Sequence, residues 1–481
     1  MARGSRRGFL KAASAVAAVA ASNKIPAFAA GINSLGPVQV WATFRDKRHA
    51  PADPLAWKPV TEVEPDAIVL DPLTTRQEIL GFGAALTDAS CYVLSQLSED
   101  ERQALMHDLF SADAMALNVC RTCIGASDYS RTLYSFDESP EPDPELAKFS
   151  IDHDKAYILP VLREARKLNP ELFLFSSPWS PPGWMKANNS MLGGGMRKLS
   201  FPPYARYFLK FLEGYQAEGV TIDAVTVQNE VDAEQDGRMP ACLWAQEEET
   251  EFVSRHLGPA LRKAGRSTKI WVIDHNYNLW GRAIGELSDV AANEYIDGIA
   301  WHGYLGEPSA MSRVHDAFPG KSAYWTEGGP DINSPNYATD YARWAAAFNE
   351  ILRNWARSIT AWNVALDEKG KPNIGPFSCG GTVTLDSATH KVTKSGQYWA
   401  FAHFSKHVRR GARVIATNGV GDDARKSGAA SVSHVGFRNP DGSFALVLAN
   451  NGPEARVQLV LGSSAIDLEL PADSVHTLEW S

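Results

Sequence analysis

Three patterns of apolar and polar positions follow one another along the chain. Residues 36–75 alternate apolar and polar side chains, as in Val38–Phe44, and show no helical period, which predicts strands. From residue 77 to about 410, short apolar runs alternate with longer segments whose apolar residues recur every three or four positions. This pattern predicts repeated strand–loop–helix units around a parallel sheet. After residue 411 the helical period disappears and short alternating runs return.

The central block contains eight strand–helix units, the number that closes a TIM barrel, (β/α)8. We predict its strands near residues 79–83, 116–124, 171–176, 224–228, 269–273, 298–302, 322–326 and 358–362. The predicted helices include residues 98–109, 154–167, 203–218, 246–264, 340–357 and 396–408. A doubly wound sheet would need a glycine-rich phosphate loop, and Gly81-Phe82-Gly83 does not fit that fingerprint. The fold class predicted is therefore α/β, with the catalytic barrel at residues 76–410.

The two flanking blocks predict a second, smaller domain. Residues 411–481 contain four short alternating runs, and Asn439-Pro440-Asp441-Gly442 is a strong hairpin signal. Neither this block nor residues 30–75 has enough strands to bury an apolar face by itself. We expect both blocks to pack into one β-sandwich beside the barrel.

Charge excludes some classes of partner. The formal net charge is −9, and residues 1–29 contain five basic residues and no acidic ones. The remainder carries 42 basic and 56 acidic residues, a net charge of −14. An acidic body argues against nucleic acid or anionic lipid as the main partner. The 14 tryptophans suit a sugar-binding cleft, where flat rings serve as stacking surfaces, although many large aromatic residues simply fill cores.

The N-terminus has the features of an export signal. Ser5-Arg6-Arg7-Gly8-Phe9-Leu10-Lys11 resembles the twin-arginine consensus, an alanine-rich apolar run follows, and Ala27-Phe28-Ala29 allows cleavage after Ala29. We predict that residues 1–29 are a signal peptide and that the protein is exported to the periplasm or the exterior. No later run is long and apolar enough to predict a transmembrane segment.

The five cysteines do not indicate a disulfide framework, because they are few and odd in number in a long chain. Cys120 and Cys123 have a metal-like spacing but no second pair, and two strand positions three apart face opposite sides. We interpret them as packing residues. Asp274 and His275 resemble a metal or proton-relay pair, but no third ligand is evident. No metal or cofactor is therefore predicted.

Two glutamates follow predicted barrel strands. Glu230 comes after the fourth strand and Glu327 after the seventh, and 97 residues separate them, which fits three βα units. Strands three units apart in an eight-membered ring place their ends across the mouth from each other. A glycosidase needs two such carboxyls, about 5–5.5 Å apart if it retains the anomeric configuration. Taken singly, either glutamate could instead neighbour a helix cap or belong to a surface ion pair.

Six segments in order resemble glycoside hydrolase family 30, most of all its glucosylceramidase (acid β-glucosidase) branch. These segments are residues 81–88, 127–132, 177–186, 226–230, 325–327 and 360–367. The resemblance runs from about Gly81 to Lys406. It implies a TIM barrel with a side sandwich and a place in carbohydrate or sphingolipid metabolism. It also implies a β-glycoside substrate, either a glycolipid or an oligosaccharide.

The resemblance also implies roles for single residues. Glu230 matches the general acid/base and Glu327 the nucleophile of a retaining β-glycosidase, and Asn229 matches the ligand of the sugar 2-hydroxyl. Three further positions match ligands of the outer hydroxyls: Asp88, Trp179 and Trp362. His302 and Tyr304 lie where the family places polar and aromatic neighbours of the carboxylates. Without the resemblance, Asp88 could simply cap a helix, the tryptophans could be packing residues, and His302 could be structural.

Two departures leave the substrate open. Residues 371–381 offer no evident Asn for the sugar 6-hydroxyl, so glucose, fucose, xylose and galactose all stay possible at the −1 site. The loop at residues 231–238 is acidic, which suits a soluble glycoside as well as ceramide. Alternatives to a glucosylceramidase-like enzyme are a β-1,6-glucan, β-fucoside or β-xyloside hydrolase of the same family. A non-catalytic carbohydrate-binding protein and an unrelated metal-dependent barrel hydrolase also remain.

Overall fold

The computed structural model describes residues 36–418 and 432–481. The predicted twin-arginine signal at residues 1–29 lies outside this range, so its prediction stays untested. Within the two described ranges, no helix combines the length and the apolar character needed to cross a membrane.

The chain begins with strands that belong to the side domain. They are β1 (Val38–Phe44), β2 (Lys47–Leu55), β3 (Lys58–Pro59) and β4 (Ile68–Glu78). Along β1 and the first half of β4, buried and more exposed positions alternate, as the sequence pattern predicted. The barrel starts directly after β4.

Eight parallel strands form the barrel, and its interior positions the functional site. They are β5 (Gly81–Ala84), β6 (Val119–Cys123), β7 (Phe173–Ser177), β8 (Ala224–Thr226), β9 (Lys269–Asn276), β10 (Ile296–His302), β11 (Ser322–Glu327) and β12 (Ala356–Ala361). Their order in the sheet is β5-β12-β11-β10-β9-β8-β7-β6. A parallel bridge between Ala85 and Arg121 joins the two ends of this sheet. The predicted TIM barrel is confirmed.

Helices surround the barrel strands. They are α1 (Asp88–Ser95), α2 (Glu99–Phe110), α3 (Ile158–Leu168), α4 (Phe201–Ala217), α5 (Gln246–Glu251), α6 (Gly258–Lys263), α7 (Trp280–Ser288), α8 (Val290–Asn293), α9 (Ser309–Ala317), α10 (Tyr341–Arg353) and α11 (Gly396–Ser405). A π-helical segment, Phe252–Leu257, joins α5 to α6. The predicted helix at 340–357 was too long, because α10 ends at Arg353 and β12 begins at Ala356.

The last strands form a small sheet and the rest of the side domain. The small sheet contains β13 (Ala365–Asp367), β14 (Val383–Leu385) and β15 (Val392–Lys394). The side domain continues with β16 (Arg413–Asn418), β17 (Val432–Arg438), β18 (Phe444–Asn450), β19 (Ala455–Leu461), β20 (Ser464–Leu470) and β21 (Ser474–Trp480). The small sheet was not predicted, since its strands are only three residues long.

The two ends of the chain meet in one sheet. β1 pairs antiparallel with β21, and β4 pairs with both β16 and β19. Apolar residues from both blocks share one core, including Val38, Ile68, Leu446, Leu459 and Leu478. Each block thus supplies the apolar surface that the other lacks, and the predicted sandwich of N- and C-terminal strands is confirmed.

Four histidines lie where the sandwich meets α11 of the barrel. His49 Nε2 lies 2.8 Å from His407 Nε2, and His407 Nδ1 lies 2.9 Å from a Glu479 oxygen. His403 is buried between the hydroxyls of two sandwich threonines. Burial lowers the pKa of His49 to about 3 and that of His476 to about 4. The imidazoles of His49 and His476 therefore stay neutral in the folded protein at mildly acidic pH.

We expect this interface to lose stability as the pH falls from 6.5 to about 4. In that window the unfolded chain binds protons that the folded protein excludes, so each such histidine costs up to about 1.4 kcal/mol per pH unit. His476→Phe keeps an aromatic ring beside Phe44, removes one titrating group and should flatten the dependence. Urea unfolding between pH 5 and 7 measures this. Equal pH slopes for the two proteins would contradict the assignment to His476.

Candidate active site

A cavity of about 290 Å³ opens among the loops that follow the barrel strands. Six of the eight predicted site residues line it: Trp179, Asn229, Glu230, Tyr304, Glu327 and Trp362. Glu230 follows β8 and Glu327 ends β11, so the fourth and seventh strands of the barrel supply the two carboxyls. The strand order thus brings together residues that are far apart in sequence.

A β-bulge turns Glu327 into the barrel. In a regular strand, Thr326 and Glu327 would face opposite sides of the sheet. Here the pairing between β10 and β11 slips by one residue at Thr326, so both side chains turn into the barrel. As a result Thr326 Oγ1 donates to Asp274 at 2.7 Å, while Glu327 Oε1 accepts from the Tyr304 hydroxyl at 3.1 Å. The next residue, Gly328, has no room for a side chain, because a Cβ there would lie 2.3 Å from the Trp325 ring.

Arg121 holds the second oxygen of Glu327. This arginine is fully buried on β6, and its Nη1 donates to Glu327 Oε2. Its Nη2 donates to Asn229 Oδ1 at 2.7 Å and to Asp274 Oδ2 at 2.8 Å. One guanidinium thus fixes three polar side chains at the base of the cavity. Arginine remains charged at all relevant pH values and favours the anionic form of Glu327. Burial outweighs this effect and, together with the nearby carboxylates of Glu230 and Asp274, raises the pKa of Glu327.

Asp274 lies in a second bulge. The pairing of β9 with β10 slips at this residue, and both Ile273 and Asp274 have positive φ angles, 73° and 43°. The Asp274 carboxylate is fully buried and accepts hydrogen bonds from side chains on β6, β7, β8 and β11. Burial opposes its ionisation, but Arg121 and His302 outweigh burial and lower its pKa. Asp274 therefore neutralises the arginine and orders the barrel interior.

Glu230 contacts two imidazoles through one oxygen. Its Oε1 lies 3.2 Å from His302 Nδ1 and 3.4 Å from His275 Nδ1. The far nitrogen of each ring meets another carboxylate: His302 Nε2 lies 3.0 Å from Asp274, and His275 Nε2 lies 2.7 Å from Asp232. The φ angle of Glu230 is 53°, a left-handed conformation that is strained for this residue type. The backbone is thus bent at the point where it presents the carboxyl.

The two glutamates therefore sit in different electrostatic surroundings. Burial alone would raise the pKa of Glu230, but the nearby imidazoles of His275 and His302 outweigh it and lower the pKa. Burial opposes the charged form of His275, yet Asp232 and Glu230 raise its pKa to about 9. At neutral pH His275 consequently holds a proton beside Glu230, whereas Glu327 faces the permanent charge of Arg121.

Two tryptophans and an aspartate form another part of the cavity wall. Trp179 and Trp362 stack with ring centroids 5.0 Å apart, and the Arg121 guanidinium lies 4.6 Å from the Trp179 ring. Asp128 is 3% exposed, and its buried Oδ1 has no hydrogen-bond partner in the part of the chain that the structure describes. A buried polar atom that lines a cavity is satisfied when a ligand donates to it. A sugar hydroxyl is such a donor.

Asp88 and His302 do not line the cavity. Asp88 begins α1 behind Thr87, and its oxygens accept from the Arg131 backbone at 2.8 Å and from the Tyr157 hydroxyl at 2.7 Å. The structure therefore shows Asp88 in structural hydrogen bonds, and its predicted sugar contact stays untested. His302 is fully buried, forms hydrogen-bond contacts with Glu230 and Asp274, and lies 3.8 Å from Glu327.

Arg121, Asp128 and Asp274 were missed as site residues by the sequence reasoning. A lone arginine inside the apolar run Val119–Cys123 was the available signal, because a buried charge requires partners. Asp128 lay in a segment that carried the family resemblance. Asp274 and His275 were noticed as a pair, but their partners Glu230 and His302 come from neighbouring strands. Adjacency in the barrel, and not spacing in sequence, assembles this group.

Ligand-type atoms of Glu230, His275 and His302 lie within 4.8 Å of one another. This distance would suit a metal ion. However, the proton that His275 holds at neutral pH competes with a metal for the same nitrogen. We assign no metal to the group.

Comparison with known proteins agrees with the fold. A family model described as "Glycosyl hydrolase family 30 TIM-barrel domain" matches residues 79–408, and one described as "Glycosyl hydrolase family 30 beta sandwich domain" matches residues 411–478. An endo-1,6-beta-D-glucanase of Neurospora crassa is 35% identical over 392 residues, covering 79% of this chain and 80% of the relative.

Two further similar proteins are a glucosylceramidase and an endo-glucanase. The lysosomal acid glucosylceramidase of Mus musculus is 27% identical over 438 residues, 86% of this chain and 83% of the relative. A solved endo-beta1,6-glucanase structure superposes with a TM-score of 0.82 and 29% identity, covering 93% of this chain and 99% of the other.

Proposed function

The chain belongs to glycosyl hydrolase family 30, and we propose that this glycoside hydrolase is a retaining β-glycosidase with Glu327 as nucleophile and Glu230 as general acid/base. The observation that carries the proposal is the contrast between the partners of the two carboxyls. Glu327 accepts from Arg121 and Tyr304, which stabilise an anion, whereas Glu230 touches two imidazoles, which can exchange protons with it. A double displacement needs one group of each kind.

The reaction follows from this placement. An oxygen of Glu327 attacks the anomeric carbon from one face while Glu230 protonates the glycosidic oxygen that leaves from the other. Asn229, fixed by Arg121, lines the same cavity as the two glutamates and supports a sugar hydroxyl. Water then attacks the glycosyl-enzyme, and Glu230 accepts its proton as general base. Trp179 and Trp362 restrict the space around the sugar ring at the −1 site.

We propose a β-1,6-linked glucan as the substrate. The endo-1,6-beta-D-glucanase of Neurospora crassa has a higher identity to this chain, 35%, than the mouse glucosylceramidase, 27%. The rim supports this choice, because Tyr304 and Phe377 line the cavity and are 50% and 42% exposed. Exposed aromatic faces suit the stacking of further sugar units.

Glucosylceramide is the second candidate, favoured by one feature of the rim. Leu305, next to Tyr304, is 59% exposed, so the entrance carries apolar surface that a lipid chain could contact. The neighbouring loop carries Asp232, Glu234 and Asp236, which disfavour a lipid surface. The soluble glucan therefore fits the entrance better.

An assay on purified protein tests the proposed function. β-1,6-Glucan, glucosylceramide in detergent, and nitrophenyl β-D-glucoside, fucoside, xyloside and galactoside are compared, with Glu327→Gln as the blank. We expect the highest kcat/KM on β-1,6-glucan or its oligosaccharides. Preferred hydrolysis of glucosylceramide would support the second candidate, and no hydrolysis of any β-glycoside would refute a glycosidase.

We expect the first product to keep the β configuration. Both carboxyls lie close to one imidazole, since His302 Nδ1 is 3.2 Å from Glu230 and Nε2 is 3.8 Å from Glu327. This shared contact favours the short carboxyl separation of retaining enzymes. Proton NMR of the fresh product, recorded before mutarotation, measures the anomer. An α product would show inversion.

We also propose that the protein is exported by the twin-arginine route, on the strength of residues 5–29. Replacing both Arg6 and Arg7 by lysine should leave the uncleaved chain inside the cell, as immunoblots of cell fractions would show. Unchanged export of this variant would argue against the route.

A further inference from the structure

The general acid/base carboxyl proposed above has a second proton-bearing group beside it. His275 comes from β9, and its ring lies between Glu230 and Asp232. It is 7% exposed and lines the cavity, whereas His302, the other imidazole on Glu230, is fully buried. His275 is therefore the imidazole that can exchange protons with the cavity.

Asp232 orients this imidazole. Its Oδ1 lies 2.7 Å from His275 Nε2. His275 Nδ1 lies 3.4 Å from Glu230 Oε1 and, among the described residues, has no hydrogen-bond partner of its own. The Asp232 side chain is 46% exposed, so it connects the buried ring to solvent. The remaining groups that face His275 are the His302 ring, at 5.8 Å between centroids, and the charge of Arg282, which acts on Asp232. The row Asp232–His275–Glu230 thus runs from solvent to the reacting oxygen.

We propose that His275, held by Asp232, is a positioning residue that keeps Glu230 supplied with the proton for the leaving group. The proposal rests on the function proposed above. His275 is not needed for the double displacement by Glu327 and Glu230 described above.

The proton steps balance over one turnover. In the starting state Glu230 is anionic and His275 carries a proton on Nδ1. Glu230 Oε1 takes this proton, and the imidazole becomes neutral. As the bond between the anomeric carbon and the leaving oxygen breaks and the bond to Glu327 forms, Glu230 passes the proton to the leaving oxygen. In the second half-reaction water bonds to the anomeric carbon as the bond to Glu327 breaks, and the proton that water loses passes through Glu230 back to His275. The chain ends the cycle in its starting state.

Leaving-group dependence separates this role from a structural one. A dinitrophenyl glycoside leaves without a proton, whereas a β-1,6-linked disaccharide needs one. In His275→Gln, kcat/KM for the disaccharide should fall about 10-fold or more, with little change for formation of the glycosyl-enzyme from the dinitrophenyl glycoside. The alkaline limb of the disaccharide profile should also move to lower pH, because Glu230 alone then holds the proton.

Asp232→Asn provides a milder second variant on a half-exposed residue, with Asp236→Asn on the same loop as its matched control. The Asp236 side chain is 89% exposed and pairs with Arg238. Asp232→Asn should shift the disaccharide profile in the same direction as His275→Gln, and Asp236→Asn should not. Equal losses on both substrates, or unchanged profiles in both variants, would overturn the role of His275. A wild-type protein without any glycosidase activity would instead refute the proposed function.

Discussion

Replacing Glu327 by alanine is expected to abolish hydrolysis of every β-glycoside, by about 10⁵-fold or more, because no glycosyl-enzyme can then form. Glu327 is the carboxyl that donors on Arg121 and Tyr304 hold in the cavity. Even a dinitrophenyl glycoside, which needs no acid catalysis, should remain intact. Initial rates on nitrophenyl and dinitrophenyl glycosides measure this loss, and Glu99→Ala, on the exposed start of α2, is the control.

Glu230→Ala should behave differently on activated substrates. The nucleophile remains, so a dinitrophenyl glycoside should still glycosylate the enzyme, and the intermediate should accumulate because no base assists water. Azide needs no general base and should convert this intermediate into the β-glycosyl azide. With Glu327→Ala the same anion should attack the opposite face and give the inverted azide. An inverted azide from Glu230→Ala would mean that the two roles are reversed.

The second large effect is expected at Arg121. Arg121→Met fills a similar volume but leaves the buried Asp274 and Glu327 without their counter-charge. Breaking a buried ion pair in this way costs about 3–5 kcal/mol of unfolding free energy. Loss of a preorganised donor at the reacting carboxylate should lower kcat by about 10²–10³-fold in addition. Urea unfolding and kcat on a nitrophenyl glycoside measure the two effects separately.

Arg262→Met is the matched control for Arg121. Arg262 pairs with Glu294 at 2.8 Å, but both side chains are more than half exposed. Exposed pairs contribute about 0–1 kcal/mol, so this variant should unfold and turn over like the wild type. Similar losses of unfolding free energy and kcat in both arginine variants would show that the burial of Arg121 does not explain its effect.

Periodicity predicted the barrel and the sandwich because both follow from burying apolar faces. For the same reason, the sequence predicted the eight strands and the positions of Glu230 and Glu327 after two of them. Helix α9 and the small sheet were missed, since short elements carry too few residues to display a period. The end of α10 was misplaced because the apolar pattern continues directly into β12.

The details of the site depend on two bulges that no alternation pattern predicts. The slips at Asp274 and Thr326 turn into the barrel interior side chains that regular strands would point away from it. The positive φ angle of Glu230 likewise accompanies a contact with the neighbouring strand, the hydrogen bond from its backbone nitrogen to the Asp274 carbonyl. Arg121 was not recognised because all the other residues of its strand are buried, as in an ordinary core strand.

The central claim, that Glu327 forms a covalent bond to the sugar, has one most direct test. The protein is incubated with a 2-deoxy-2-fluoro-β-glycoside carrying a dinitrophenyl leaving group, digested, and sequenced by mass spectrometry. We predict a single added sugar on the peptide that contains Trp325, Thr326 and Glu327, located on Glu327. A sugar on Glu230, or no covalent adduct from a substrate that the enzyme demonstrably turns over, would contradict the assignment.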